Sequence, residues 1–181
     1  MEIRKTVIST ETIIVLVLVT FGLFMRLIPH VPNFAPIGAI ALLGGALLGR
    51  RAALSLPLII MIVSDLIIGF YQGIYFTWAA FLCVAAFGFL FRESTYASRV
   101  ILGGMGGAIV FFIVSNFGTW IAGGMYPLTL AGLEACYVAA IPFFKTTLLA
   151  DVVFSAVLFG AYELAVWGAK LQQQKHLKSA L

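Results

Sequence analysis

The chain has 181 residues, of which 62% are hydrophobic and only 10% charged, with a formal net charge of +4. A soluble domain of this size needs far more charge to cover its surface, so the composition excludes an ordinary soluble fold and points to a polytopic membrane protein of one domain. The excess charge is no nucleic-acid signal, because most Lys and Arg sit in short polar interruptions between apolar runs, where they set membrane topology.

A membrane-spanning helix needs about 20 apolar residues. The first run, 11–28, follows Arg4 and Lys5 and lacks a small-x-small cleavage site, so it reads as an uncleaved first span. The second, 35–49, is short and ends at Arg50-Arg51, which implies a steep span or one with an irregular start. Spans three to five fall at 52–70, 74–91 and 99–122. The last apolar run is divided by Pro142, and proline favours a first helical turn. It reads as an interfacial helix at 129–140 followed by a sixth span at 142–168. The expected fold is thus an all-α bundle of six transmembrane helices.

Lys and Arg cluster before span one and after spans two, four and six, whereas segments 29–34, 71–73 and 123–128 contain neither. The positive-inside rule then places both termini in the cytoplasm. Ala41, Gly45 and Gly49 on span two, and Gly103 and Gly107 on span five, recur every four residues and predict close helix packing. Cys83 and Cys136 have no zinc or redox spacing and read as packing residues; no cofactor or metal is expected.

Ionisable groups within the spans carry the functional information, since each costs about 2.5–3.5 kcal/mol at a bilayer centre if unpartnered. With odd spans running outward, Arg26, His30, Asn33, Asp65, Asn116, Trp120, Tyr126, Lys145 and Asp151 all fall in the outer half of the bundle. They are the expected substrate-binding residues. Pro29, Pro32 and Pro36 stiffen a non-helical rim whose backbone groups need protein or water around them. A purely structural pair, Arg26 with Asp65 or Lys145 with Asp151, is the competing explanation, and Asp65 across helices is the more plausible partner for Lys145. Lys145 and Asp151 are six positions apart and face about 120° away from each other on a helix. Lys145 in a first helical turn suggests a carboxylate or phosphate on the ligand. Trp78, Tyr71 and Tyr75 read as an interfacial aromatic belt.

The segments "PNFAPIGAIALLGG", "SDLIIGF", "SNFGTW" and "YPLTLAGLEACYVAAIPFFKTTLLAD" resemble the DUF6580 family of small bacterial membrane proteins over roughly residues 20–165. Those proteins are similar in turn to the substrate-binding S components of energy-coupling-factor vitamin transporters. The resemblance implies a six-helix bundle in the bacterial cytoplasmic (inner) membrane that binds a vitamin-like nutrient near its outer face. Its implied partners are that small molecule, the bilayer, and an energising membrane subunit or a second copy. Span one lacks the Ala-x-x-x-Ala-like stripe used for docking to the energising subunit, which favours a solitary transporter. No phosphate-binding loop is present. The expected function is uptake of a small anionic or zwitterionic nutrient, and the alternative is a non-transporting membrane scaffold. No nucleophile–base spacing supports an enzyme.

Overall fold

The computed structural model describes residues 10–179, and among them all regular structure is helical. Arg4 and Lys5, the markers preceding span one, lie outside the described residues. Six main helices follow one another: α1 Thr10–Leu27, α2 Ile37–Leu47, α3 Arg50–Ile68, α4 Ile74–Phe91, α5 Tyr96–Ala122 and α6 Leu130–Ser179. The last turn of α4 is a 3-10 turn, and α5 contains a π-helical turn at Arg99–Gly103. Arg50–Ile68, Ile74–Phe91, Tyr96–Ala122 and Leu130–Gln174 are each long and apolar enough to cross a membrane. Large apolar side chains such as Leu66, Ile67, Leu102 and Leu149 point outward, as lipid requires.

Helix α2 is the centre of the bundle and packs against α3, α4, α5 and α6. Ten of its eleven residues, Ile37 to Ala46, are buried. Its rise is only about 16 Å, roughly half the hydrocarbon thickness of a bilayer. The second apolar run is therefore a half-length helix with an irregular entry. Residues 28–36 form no helix, and Asn33 sits in the left-handed region at φ 62°, which asparagine tolerates better than most residues.

Small residues make this central position accessible. Gly45 of α2 and Gly88 of α4 meet backbone to backbone: a Cβ on Gly45 would lie 2.8 Å from Gly88 Cα. Gly107 faces Val84 and Gly103 faces Leu42. The stripes thus serve packing inside the bundle.

Pro142 does not divide the last run. Helix α6 passes through it as one element of 50 residues. Proline removes one N–H bond, and the turns before it are held on α5 by other means. The Tyr137 hydroxyl donates to Ile113 O at 2.7 Å, and the rings of Tyr137 and Phe112 lie 5.4 Å apart. The expected interfacial helix at 129–140 is instead the first part of α6. Cys136 is buried at this α5–α6 contact, whereas Cys83 is exposed.

Arg92 and Arg99, read from sequence as topology markers, also act as clamps. The Arg92 guanidinium donates to Gly45 O and Leu48 O, the carbonyl end of α2. Arg99 donates to Phe91 O and Arg92 O and pairs with Glu163 at 3.2 Å. At the same end, Glu11 accepts from the Gly49 backbone N–H at 2.8 Å.

Candidate functional site

At the opposite end of the bundle the chain leaves a cleft with two connecting lobes, of about 180 Å³ and about 400 Å³. Arg26, Asn33, Tyr71, Thr77, Phe111 and Thr147 border both. These residues come from the C-terminal end of α1, the entry to α2, the start of α4, and the facing stretches of α5 and α6. The helices alternate in direction, so residues far apart in sequence converge on one mouth.

Asp151 lies on the floor of the smaller lobe with Gly38, Phe81 and Met61. It is 4% exposed, and no cation pairs with it among the described residues. Its carboxylate meets the N-terminus of α2, where Ala39 supplies a backbone interaction and Gly38 makes room. The capping residue of α2, Pro36, has no side-chain oxygen to offer. A carboxylate from α6 performs that task and complements the positive end of the helix dipole. Helix α2 is therefore held by Asp151 at its N-terminus and by Arg92 at its C-terminus.

Arg26 is committed elsewhere. Its Nη2 lies 2.5 Å from Asp65 Oδ1, and its Nη1 faces Met61 Sδ. Asp65 is fully buried, and its second oxygen accepts from Trp78 Nε1 at 2.8 Å. Arg26, Asp65 and Trp78 thus form one satisfied cluster joining α1, α3 and α4, with the arginine edging the cleft. Such a pair is costly to break and weakly stabilising as a whole.

The larger lobe is walled by Ser115, Asn116 and Thr119 of α5 and by Phe143, Phe144 and Thr147 of α6. The three hydroxyls donate to carbonyls one turn back on their own helices: Ser115 to Phe111 O, Thr119 to Ser115 O, and Thr147 to Phe143 O. The Asn116 Nδ2 does the same to Phe112 O. The hydroxyl protons are spent within the helices and their oxygens remain as acceptors, while the Asn116 amide keeps its oxygen and one N–H.

Of the nine residues expected at a site, Arg26, Asn33, Asn116 and Asp151 converge on the cleft. Asp65 sits behind Arg26, outside the cleft lining, and pairs with it, not with Lys145. Lys145 is exposed and without an ion pair among the described residues, on another face of α6 from Asp151. His30 is exposed, with Nδ1 2.7 Å from Ile28 O. Trp120 donates to Pro127 O at 3.0 Å, and Tyr126 is half-buried; both lie outside the cleft lining. Thr77, Ser115, Thr119, Thr147 and the phenylalanines were not anticipated. A signal existed: Thr147, Asp151 and Ser155 are spaced by four and share one helix face, as do Ser115 and Thr119. Trp78, read as a belt aromatic, is a hydrogen-bond donor to a buried carboxylate.

Fold and cleft together define a helical protein, with four helices long and apolar enough to cross a membrane and a polar, aromatic-walled hollow at one end of the bundle. The chain belongs to DUF6580, a family of unknown function, whose profile matches residues 6–176. No curated protein and no solved structure gives a significant match to it.

Proposed function

We propose that this protein captures a small nutrient molecule at the outer face of a bacterial cytoplasmic membrane, as the binding component of an uptake system. The two-lobed cleft carries this reading. It is concave, combines aromatic walls with a few convergent polar groups, and lies at the end of the bundle remote from Arg92 and Arg99. Under the positive-inside rule that remote end faces outward, with both termini in the cytoplasm. The half-length helix α2, whose N-terminus opens at the cleft floor, supports the same reading. Interrupted helices that end at a central site are a common way to build membrane binding sites. The similarity to S components of vitamin transporters belongs to this proposal. So does action either alone or with an energising subunit.

A second reading, a membrane scaffold with structural ion pairs, draws on the Arg26–Asp65–Trp78 cluster, whose charges are satisfied without any ligand.

The test is mass spectrometry of small molecules released from the purified full chain, compared with an Asn116→Ala/Thr147→Val double variant. A metabolite enriched with the wild type and lost from the variant is the expected result. Equal retention by both would move binding out of the cleft. No metabolite retained from a complete bacterial extract would leave the scaffold reading.

A further inference from the structure

The chemistry of the cleft selects among ligand classes. Three observations bear on it, and none depends on the anion expectation attached to Lys145, which the fold turns away from the cleft.

The first is charge. The cleft is bordered by one cation, Arg26, and one anion, Asp151. Arg26 is neutralised by Asp65 at 2.5 Å. Asp151 faces no cation among the described residues and is offset only by the N-terminus of α2, which carries about half an elementary charge. The ionisable group left unpaired at the cleft is therefore a carboxyl and not a cation.

The second is hydrogen-bond polarity. Ser115, Thr119 and Thr147 give their hydroxyl protons to carbonyls of their own helices, and Asn116 gives one of its two amide N–H groups. The three hydroxyls turn acceptor oxygen to the cleft, and Asn116 keeps its amide oxygen and one N–H. The Arg26 guanidinium, the strongest donor nearby, is engaged by Asp65 and Met61. A ligand that donates finds these acceptor oxygens here, beside the mixed donor and acceptor groups of Asn33, Tyr71 and Thr77.

The third is the wall. Phe81 and Phe111 line the same lobe as Asp151, with ring centroids 4.7 Å apart. Phe112 and Phe144, 4.8 Å apart, line the larger lobe. Aromatic faces attract cations, and organic cations in particular, since these lose less hydration than metal ions. Among the described residues no group of three His, Cys, Asp or Glu could hold a metal.

We propose that the cleft binds a small organic cation. Its ammonium or protonated nitrogen heterocycle is seated at Asp151 beside Phe81 and Phe111, and its hydrogen-bond-donating remainder lies against Ser115, Asn116, Thr119 and Thr147. This rests on the binding reading above and narrows it to a ligand class.

The experiment is affinity selection. Detergent-purified full chain is incubated with a bacterial metabolite extract and passed over a sizing column, and the retained molecules are identified in both ion modes. Wild type is run beside Asp151→Asn, Phe111→Leu and Lys145→Gln. Asparagine keeps the size and capping capacity of the aspartate and removes its charge. The expected result is a retained metabolite that is cationic at pH 7. Asp151→Asn should lower its retention roughly ten- to hundredfold, the weight of a charge-assisted contact. Phe111→Leu should lower it roughly two- to thirtyfold, and Lys145→Gln should match wild type. An anionic or neutral metabolite on the wild type would overturn the cation assignment and leave the binding reading intact. So would a cation held equally by all four proteins. Retention of nothing would overturn both. If Asp151→Asn fails to fold, the charge of the wild-type ligand and the Phe111→Leu result still decide.

Discussion

Gly38 and Asp151 interlock at the floor of the cleft: a Cβ on Gly38 would stand 2.7 Å from the Asp151 Cγ, inside contact distance of the whole carboxylate. The glycine lets a side chain from α6 reach the first turn of α2. Alanine there must push the carboxylate off the helix terminus. Gly38→Ala is expected to destabilise the protein by about 1–3 kcal/mol, the usual cost of overpacking. Its apparent melting temperature in detergent should fall, and ligand retention with it. An unchanged melting temperature would show that Asp151 does not support α2.

The Arg26–Asp65–Trp78 cluster makes a graded prediction. Asp65→Ala leaves a guanidinium unpaired and should cost about 3–5 kcal/mol. Trp78→Phe keeps an aromatic ring, though a smaller one, and leaves one oxygen of a buried carboxylate without its donor, at about 1–3 kcal/mol. Thermal unfolding in detergent should rank wild type above Trp78→Phe and Trp78→Phe above Asp65→Ala. The reverse ranking would show that the pair is dispensable.

Glycines in the bundle are not equivalent. Gly45→Ala places a methyl group against Ala85 O and Gly88, where only backbone can yield. A loss of about 1–3 kcal/mol or more is expected. Gly168→Ala meets no atom within 4 Å and lies in a helix, so it should be neutral or stabilising by up to about 1 kcal/mol. The two melting temperatures measured side by side check this contrast.

Arg92 tests the other end of α2. Its guanidinium is the partner of Gly45 O and Leu48 O. Arg92→Gln should cost about 1–3 kcal/mol by leaving these carbonyls unsatisfied. Retention of ligand per folded molecule should stay near wild type, because Arg92 is remote from the cleft. A selective loss of binding would couple the two ends of α2 more tightly than packing alone predicts.

Much of the fold was legible because lipid leaves few options. Apolar runs of suitable length and the placement of Lys and Arg mark the helices, and six main helices are found. The two departures share a cause. Pro142 carries a strong local preference for a helix start, yet Tyr137 and Phe112 hold the preceding turns in line with those that follow. The run 35–49 looks like a short span, yet only 37–47 is helical, since its ends are secured by residues 47 and 113 positions away: Arg92 reaching Gly45, and Asp151 reaching Gly38.

The sequence by itself determined that buried charge must exist in this protein and on which helices it lies, because an apolar chain can hide neither Asp65 nor Asp151 from a hydropathy reading. Which charges cancel was decided only by the tertiary structure. Arg26 is 39 residues from Asp65, and nothing local distinguishes that partner from Lys145. Once helix packing joins Arg26 to Asp65 and rotates Lys145 outward, Asp151 is left as the carboxylate facing the cleft. Pairing depends on helix rotation and approach, which close packing of side chains across all six helices sets together. The polarity of the cleft is therefore a property of the assembled bundle and not of any one segment.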